Sequence, residues 1–462
     1  MSRFLGITVL ADFVISEGIE SVLKNLEKVG ATAVATNPTV STEAAPGQGS
    51  FQPPTDAGSS PRLFDRPLFG KKSLWVKTAP SYHPDIRLYR DTSYKPRKAN
   101  ELTITHGHII GDFIKAALAR GFKVYLQVNG ATPSDLMTDD IPRLPNGEIP
   151  DNRMANTGSL ASPSIRSYNR AYVKDLLKKY PDITGFRPDW PEYPCYKLDE
   201  AFQDFGMHVK PWAEARGFAY GEIKREVGAF YTYLHGSLTN KDLVDWAGVD
   251  RGKLSQIRLL RQHPAVLEWL RLKAALSTDL LRDWRSAITE AGGAEKELSA
   301  NAFMVPLTLF TGFDFSAASA HCDAISPKLY TMHWSAMVEF WGRALLSRNA
   351  GLDESLVTRA LANLFDLGDA ATADKLSEFG YPEPDEPHPI PNEPQVRKIR
   401  QVVDEVNGRC DVTALMHGYG PLKDFARRFQ IVADSDATGI WINRYGYLSD
   451  DKLDTLRDIW KT

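Results

Sequence analysis

Cysteine is scarce in this chain: Cys195, Cys322 and Cys410 are the only ones in 462 residues, and they lie far apart. An odd, scattered set builds neither a disulfide framework nor a zinc knuckle and suits a reducing compartment. Charge of one sign is lacking too, since 55 basic and 58 acidic residues are interspersed to give a formal net charge of -3. That balance leaves no electrostatic footprint for nucleic acid. No apolar run approaches the roughly 20 residues needed to cross a bilayer. Met1 to Val9 enters an apolar run without a basic region or a cleavage site. The expectation is a soluble, cytoplasmic protein with no nucleic-acid and no membrane partner. Two motifs are missing as well: there is no Gly-x-Ser-x-Gly elbow and no Gly-x-x-x-x-Gly-Lys loop.

What the chain does have is a repeating order of short apolar runs and amphipathic stretches. Gly6 to Leu10 reads as a first strand, and Ile19 to Val29 as a helix with Ile19, Val22, Leu23, Leu26 and Val29 at helical spacing. Thr32 to Thr36 reads as strand two, Lys123 to Val128 as three, and Ile183 to Asp189 as four. Ser299 to Pro306, Ala324 to Tyr330, Asp411 to Met416 and Gly439 to Asn443 follow as strands five to eight. Helices are predicted at about 107–120, 164–180, 258–288, 315–321, 335–347, 353–366, 395–407, 422–434 and 450–460. Eight strands, each followed by helix, is the count of an α/β fold of the (β/α)8 TIM-barrel type. The runs lack strict alternation, as strands covered on both faces do. An open doubly wound sheet would want a glycine-rich turn after strand one, and Leu10-Ala11-Asp12-Phe13-Val14 has none.

The whole chain, 1–462, is therefore read as one barrel domain with long strand-to-helix loops. Residues 38–103 form a long loop expected to fold over the barrel mouth, because Phe64, Phe69, Trp75, Tyr82, Tyr89 and Tyr94 are too many aromatics for a tether. A mostly helical insertion at 199–260 follows the fourth strand, and a proline-rich linker occupies 381–394. Insertion and linker together leave ample surface for a homodimer.

In such a barrel the chemistry gathers at the carboxyl ends of the strands. Those ends hold Asp12, Asn37, Asn129, then Asp189 and Glu192, then Asn301. Strand six offers Lys328, Tyr330, His333 and Trp334; seven offers His417; eight offers Asn443, Arg444 and Tyr445. Aromatic faces mixed with fixed hydrogen-bonding groups suit a carbohydrate. Asp189 and Glu192, three apart beside Trp190, give the carboxylate pair that glycosidic hydrolysis uses, with Asp189 as nucleophile or stabiliser and Glu192 as general acid. Arg187 alternates with Asp189 and is expected on the same side of the strand, and Lys328 is expected to want an anionic partner. His106, His108, His333 and His417 are expected to bind substrate, with His106, His333 and His417 hydrogen-bonding its hydroxyls or serving as a proton-transfer partner. No metal and no cofactor are expected: the histidines form no compact ligand motif, and Asp12 stands alone at the end of strand one. Cys195 has no assigned base and reads as a buried thiol.

Gly185-Phe186-Arg187-Pro188-Asp189-Trp190-Pro191-Glu192-Tyr193-Pro194 resembles the strand-four segment of uncharacterised glycoside-hydrolase-like barrel proteins, which carry an Asp-Gly-hydrophobic-x-x-Asp-Trp-Pro pattern. In the wider superfamily of α-fucosidases, α-galactosidases and α-amylases the Asp ending the fourth strand is the nucleophile, and the resemblance puts that role on Asp189. The stretch is also similar to the chitinase-type Asp-x-Asp-x-Glu-Tyr-Pro signature, whose Glu is the acid; here Arg187 and Pro191 change the spacing. Clan-A glycosidases place a Glu at the end of strand seven, where this chain has Met416-His417-Gly418-Tyr419. The resemblance implies a glycoside hydrolase acting on a carbohydrate. The alternatives are a metal-independent sugar lyase or isomerase using Lys328, Tyr330 or a histidine, and a carbohydrate-binding barrel without catalysis.

Overall fold

The computed structural model describes residues 3–54, 62–151, 153–248, 252–368 and 374–460. Parts of the expected mouth loop (55–61) and of the helical insertion (249–251) lie outside the described residues. Eight parallel strands close into a ring: β1 (Phe4–Thr8), β2 (Ala33–Thr36), β3 (Lys123–Asn129), β4 (Gly185–Asp189), β5 (Glu297–Ala302), β6 (Ala324–Leu329), β7 (Asp411–His417) and β8 (Gly439–Asn443). They follow sequence order around the ring, with β1 bonded to both β2 and β8. Helices surround the ring, as the alternating pattern predicts.

The pleat sorts the side chains of each strand. Outward residues such as Ile7, Val34, Val124, Phe186, Ile325 and Ile440 join the large core under the helices. Inward residues form a separate cluster of Ala33, Ala35, Tyr125, Leu415 and Trp441. Trp441 fills the lumen, and this is why β1 carries glycine: a Cβ on Gly6 would stand 2.4 Å from the indole.

Strand ends depart from the sequence reading where a competing partner takes the backbone. β1 ends at Thr8 because a helix begins at Ala11 (Ala11–Glu17). β5 ends at Ala302, not at Pro306, because the Phe303 amide donates to a carboxylate, Glu192, and not to a neighbouring strand.

The long segment after β2 is not an open loop. Thr39–Ala44, Ser50–Gln52 and Leu74–Pro80 pair as a three-stranded antiparallel sheet. Between β4 and β5 lie six helices among the described residues, ending in the long helix Ala265–Glu290. The proline-rich linker packs on the β6–β7 side of the mouth. There Tyr419 OH donates to Pro382 O at 2.9 Å, and the Thr331 hydroxyl lies 2.7 Å from His388 Nδ1.

Candidate active site

β4 delivers its last residue, Asp189, level with Asn129 of β3 and Asn301 of β5. The Asp189 side chain is 20% exposed at the open end of the ring. Lys328, from β6, is buried, and its Nζ lies 2.6 Å from Asp189 Oδ1, an ion pair without the alignment of a hydrogen bond. The Trp190 amide donates to the same oxygen at 3.1 Å. The ammonium also lies 4.0 Å from the centre of the Trp190 ring and 5.5 Å from that of Phe303. Cation–π attraction and the carboxylate thus offset the cost of burying Lys328. Trp190, Tyr196 and Phe303 pack with ring centroids 5.2 to 5.7 Å apart, giving the acid a dry aromatic wall.

Trp190 has φ 59, the left-handed region, which costs a bulky residue of order 1–3 kcal/mol. The chain beyond it is held firmly enough to sustain that. Ser277 Oγ donates to Pro191 O at 2.7 Å, the Tyr193 amide to Thr311 O at 3.1 Å, and Trp341 Nε1 to Cys195 O at 3.0 Å. Cys195 is a buried thiol, as read from the sequence.

Glu192 corrects the expectation of a mouth-facing general acid. It is 0% exposed. Its Oε1 accepts from the Phe303 amide at 2.6 Å and its Oε2 from the Thr311 hydroxyl. Burial raises its pKa from 4.5 to about 7, against the lowering effect of Thr311 and Lys328. In this arrangement the side chain braces the 189–193 turn against the end of β5, and neither oxygen opens onto the mouth.

Arg187 does share a side with Asp189, one layer deeper. Its guanidinium donates to Ser299 Oγ at 2.9 Å, Ser326 Oγ at 3.2 Å and Asn301 Oδ1 at 2.6 Å, and lies 3.8 Å from the centre of the Trp441 ring. Burial pulls its pKa down to about 9, so the group stays charged at neutral pH. It is a fixed charge inside the ring, holding Asn301 in place, and not a residue that reaches substrate from the surface.

The β6–β8 side supplies hydrogen-bonding groups. The Tyr330 ring centroid lies 5.2 Å from that of His333 and 5.0 Å from that of His417. Tyr196 OH and His333 Nδ1 are 2.8 Å apart. His417 is buried, and burial, reinforced by Arg62 and Arg444, holds its pKa well below 6.5. Its Nδ1 accepts from the Tyr419 amide at 3.1 Å, so the neutral ring carries its proton on Nε2. Asp12, in the first turn of the helix Ala11–Glu17 after β1, accepts from Ser41 Oγ of the antiparallel sheet, and burial raises its pKa, with Ser41 and Arg444 pulling it down. Nearer the mouth, the buried nitrogens Asn301 Nδ2 and Arg444 Nε have no acceptor among the described residues. Donors in surplus around one opening suit a ligand rich in oxygen acceptors.

Other expected residues lie elsewhere. Trp334 turns outward, with Lys398 Nζ 5.5 Å from its ring centre. Tyr445 is buried behind the mouth, donating to Glu17 Oε2 and accepting from Asn25 Nδ2, both at 2.7 Å. His106 and His108 flank Gly107 on the outer helices Glu101–His106 and His108–Ala119, with His108 exposed. Asn37 spends its amide on Gln127 O at 3.0 Å, linking β2 to β3. Trp334 sits five residues past the end of β6, inside the helix Thr331–Arg348, and Tyr445 two residues past the end of β8, where helical geometry takes over and rotates the side chain away. Residues the sequence reading did not single out at the mouth are Arg62, Ser41, Phe303, Thr311 and Tyr381. Arg62 lies 5.3 Å from the Tyr381 ring centre, between the mouth segment and the linker. Only Phe303 and Thr311 had a signal, their position just after strand five.

No protein-family model matches the chain, and no curated protein sequence matches it. Solved structures do. The β-galactosidase of the psychrophilic Marinomonas ef1 superposes with a TM-score of 0.53 at 11% identity, over 99% of this chain and 59% of that one. The polyextremophilic β-galactosidase of the Antarctic haloarchaeon Halorubrum lacusprofundi gives 0.51 at 12% identity, over 99% and 57%. The catalytic domain of β-amylase from Paenibacillus polymyxa gives 0.50 at 9% identity, over 99% and 98%. The chain thus spans less than three-fifths of the galactosidases and nearly all of the amylase domain. At such identities the likeness is one of fold: a closed eight-stranded parallel barrel with surrounding helices, shared with glycoside hydrolases.

Proposed function

We propose that this protein is a glycoside hydrolase whose reacting carboxylate is Asp189. The observation that carries the reading is the position of that side chain: the end of a barrel strand, partly open, ion-paired with Lys328 and walled by Trp190 and Phe303. Such a carboxylate has a free edge for an oxocarbenium-like centre, while Lys328 fixes its other oxygen. Hydrogen-bonding groups of the β6–β8 side, Tyr330, His333 and Asn443, take the sugar hydroxyls.

Hydrolysis also needs a proton for the leaving oxygen. Burial favours the protonated form of two carboxyls in this region, Asp12 and Glu192. Glu192 is sealed on both oxygens, whereas Asp12, in the first turn of the helix Ala11–Glu17 that follows β1, has one oxygen engaged by Ser41. The proton donor is therefore assigned to Asp12 and the bracing of the turn to Glu192. A panel of nitrophenyl glycosides and oligosaccharides tests both parts. The parent chain is expected to release nitrophenol from at least one glycoside. Asp12→Asn is expected to lose ~100-fold or more on the oligosaccharide, within the range for general acids, and much less on the nitrophenyl glycoside, whose leaving group needs no proton. A loss of that pattern in Glu192→Gln, with Asp12→Asn unaffected, would reverse the assignment.

A further inference from the structure

A cavity of about 180 Å³ lies on the strand-end face of the barrel, between the antiparallel sheet and the helix Pro163–Lys179. It is lined by Asn129, which pairs in register with Asp189, so it begins one strand away from the proposed reacting carboxylate. Its walls come from three stretches that the sequence keeps apart: the mouth segment, the end of β3 with its following loop, and the helix Pro163–Lys179. Tyr82 rises from the mouth segment and Tyr168 and Tyr172 from the helix, with four prolines adding flat apolar surface. Tyr168 and Tyr172 stack, centroids 5.6 Å apart and planes at 16°. The polar lining includes Asn129, Thr132 and the exposed Arg97.

Among the polar groups around the cavity, Asn169 Nδ2 is spent on Gly130 O at 2.7 Å. Thr132 Oγ1 differs: it is buried and has no hydrogen-bond partner among the described residues. A buried hydroxyl without a partner costs of order 1–3 kcal/mol unless a ligand or water satisfies it. Aromatic and proline faces beside one fixed hydroxyl and one amide are what a pyranose ring requires, since its two faces are apolar and its rim is polar. The size decides how much enters. Pockets for drug-sized ligands run to roughly 300–1,000 Å³, so this one suits a single ring and not a chain.

We propose that this cavity is a second sugar subsite. The substrate is then an oligosaccharide of two or more units, running from Asp189 across Asn129 toward the helix Pro163–Lys179. This rests on the hydrolase reading given above.

The test compares two probes of the sugar that the parent chain cleaves: a glycosyl fluoride, which fills one subsite, and the corresponding di- and trisaccharides. Thr132→Val keeps the shape of the side chain and removes its hydroxyl, and Arg97→Ala changes an exposed residue, so at least one variant retains the fold. The expected result is a fall of tenfold or more in kcat/KM for the oligosaccharides, with the fluoride within twofold of the parent. Equal losses on both probes, or no loss on the oligosaccharides, would overturn the subsite and leave the hydrolase reading standing. If the parent chain cleaves none of these substrates, the hydrolase reading fails and the subsite falls with it.

Discussion

Two carboxylates three residues apart have opposite surroundings here, and that contrast carries most of the chemistry. Asp189 is partly open and ion-paired; Glu192 is sealed and hydrogen-bonded on both oxygens. Their spacing is legible in the sequence, but their environments are not. Both Glu192 partners, Phe303 and Thr311, lie more than 110 positions away, and no local pattern announces them. The pKa of Glu192, raised by burial from 4.5 to about 7, makes a pH prediction. Because the folded value exceeds the unfolded one, the folded state holds the extra proton between them. That stability is fully present below pH 4.5 and is lost as pH rises through about 7, by roughly 3 kcal/mol. Buried neutral His417 and His388 act in the opposite direction, losing stability as pH falls through 6.5. Comparison of Glu192→Gln with the parent isolates the acid: its urea-unfolding free energy should decline less between pH 5 and 8. A parallel decline in the two proteins would show that Glu192 titrates as an ordinary carboxyl. Lys328→Met should lower kcat/KM by ~100-fold, about 2.7 kcal/mol, since it removes the countercharge 2.6 Å from Asp189. An unchanged kcat/KM would detach Lys328 from the reaction.

At the scale of elements, the strand-and-helix order was readable because each strand is a short apolar run and each helix repeats its apolar positions. The eighth strand, Gly439–Asn443, was located to the residue. The antiparallel sheet was missed. Thr39–Ala44 and Leu74–Pro80 carry threonine, serine, lysine and proline, and they find each other across some thirty residues. The third strand, Ser50–Gln52, joins Leu74–Pro80 through a tight backbone approach at Gly49, with φ 80, where a Cβ would meet Val76 O at 2.1 Å. In the ring itself, glycine and tryptophan are a matched pair. Gly6→Ala drives a methyl into Trp441 and should lower the unfolding free energy by ~1–3 kcal/mol, the usual range for overpacking. Adding Trp441→Phe should recover part of that loss, because a smaller ring frees the space. Additive losses in the double variant would mean that the two residues do not share the lumen as described.

For the whole molecule, the closed barrel followed from counting strand–helix units, and the superpositions on glycoside hydrolases agree with it. Among the described residues no helix is long and apolar enough to cross a membrane. What the count does not convey is how separate segments converge on one opening. Ser41 of the mouth segment reaches Asp12, Pro382 of the linker holds Tyr419, and Thr311 beyond β5 holds Glu192. Each contact joins chain segments by tertiary folding alone, so the strand-end residues were readable and their supports were not. Asp189 itself is held by Lys328 and by the Trp190 amide. The direct measurement is turnover of a cleavable glycoside by Asp189→Asn beside the dissociation constant of the same sugar. Turnover should fall by ~10³-fold or more while the dissociation constant stays within a few fold. Turnover within tenfold of the parent would contradict the account.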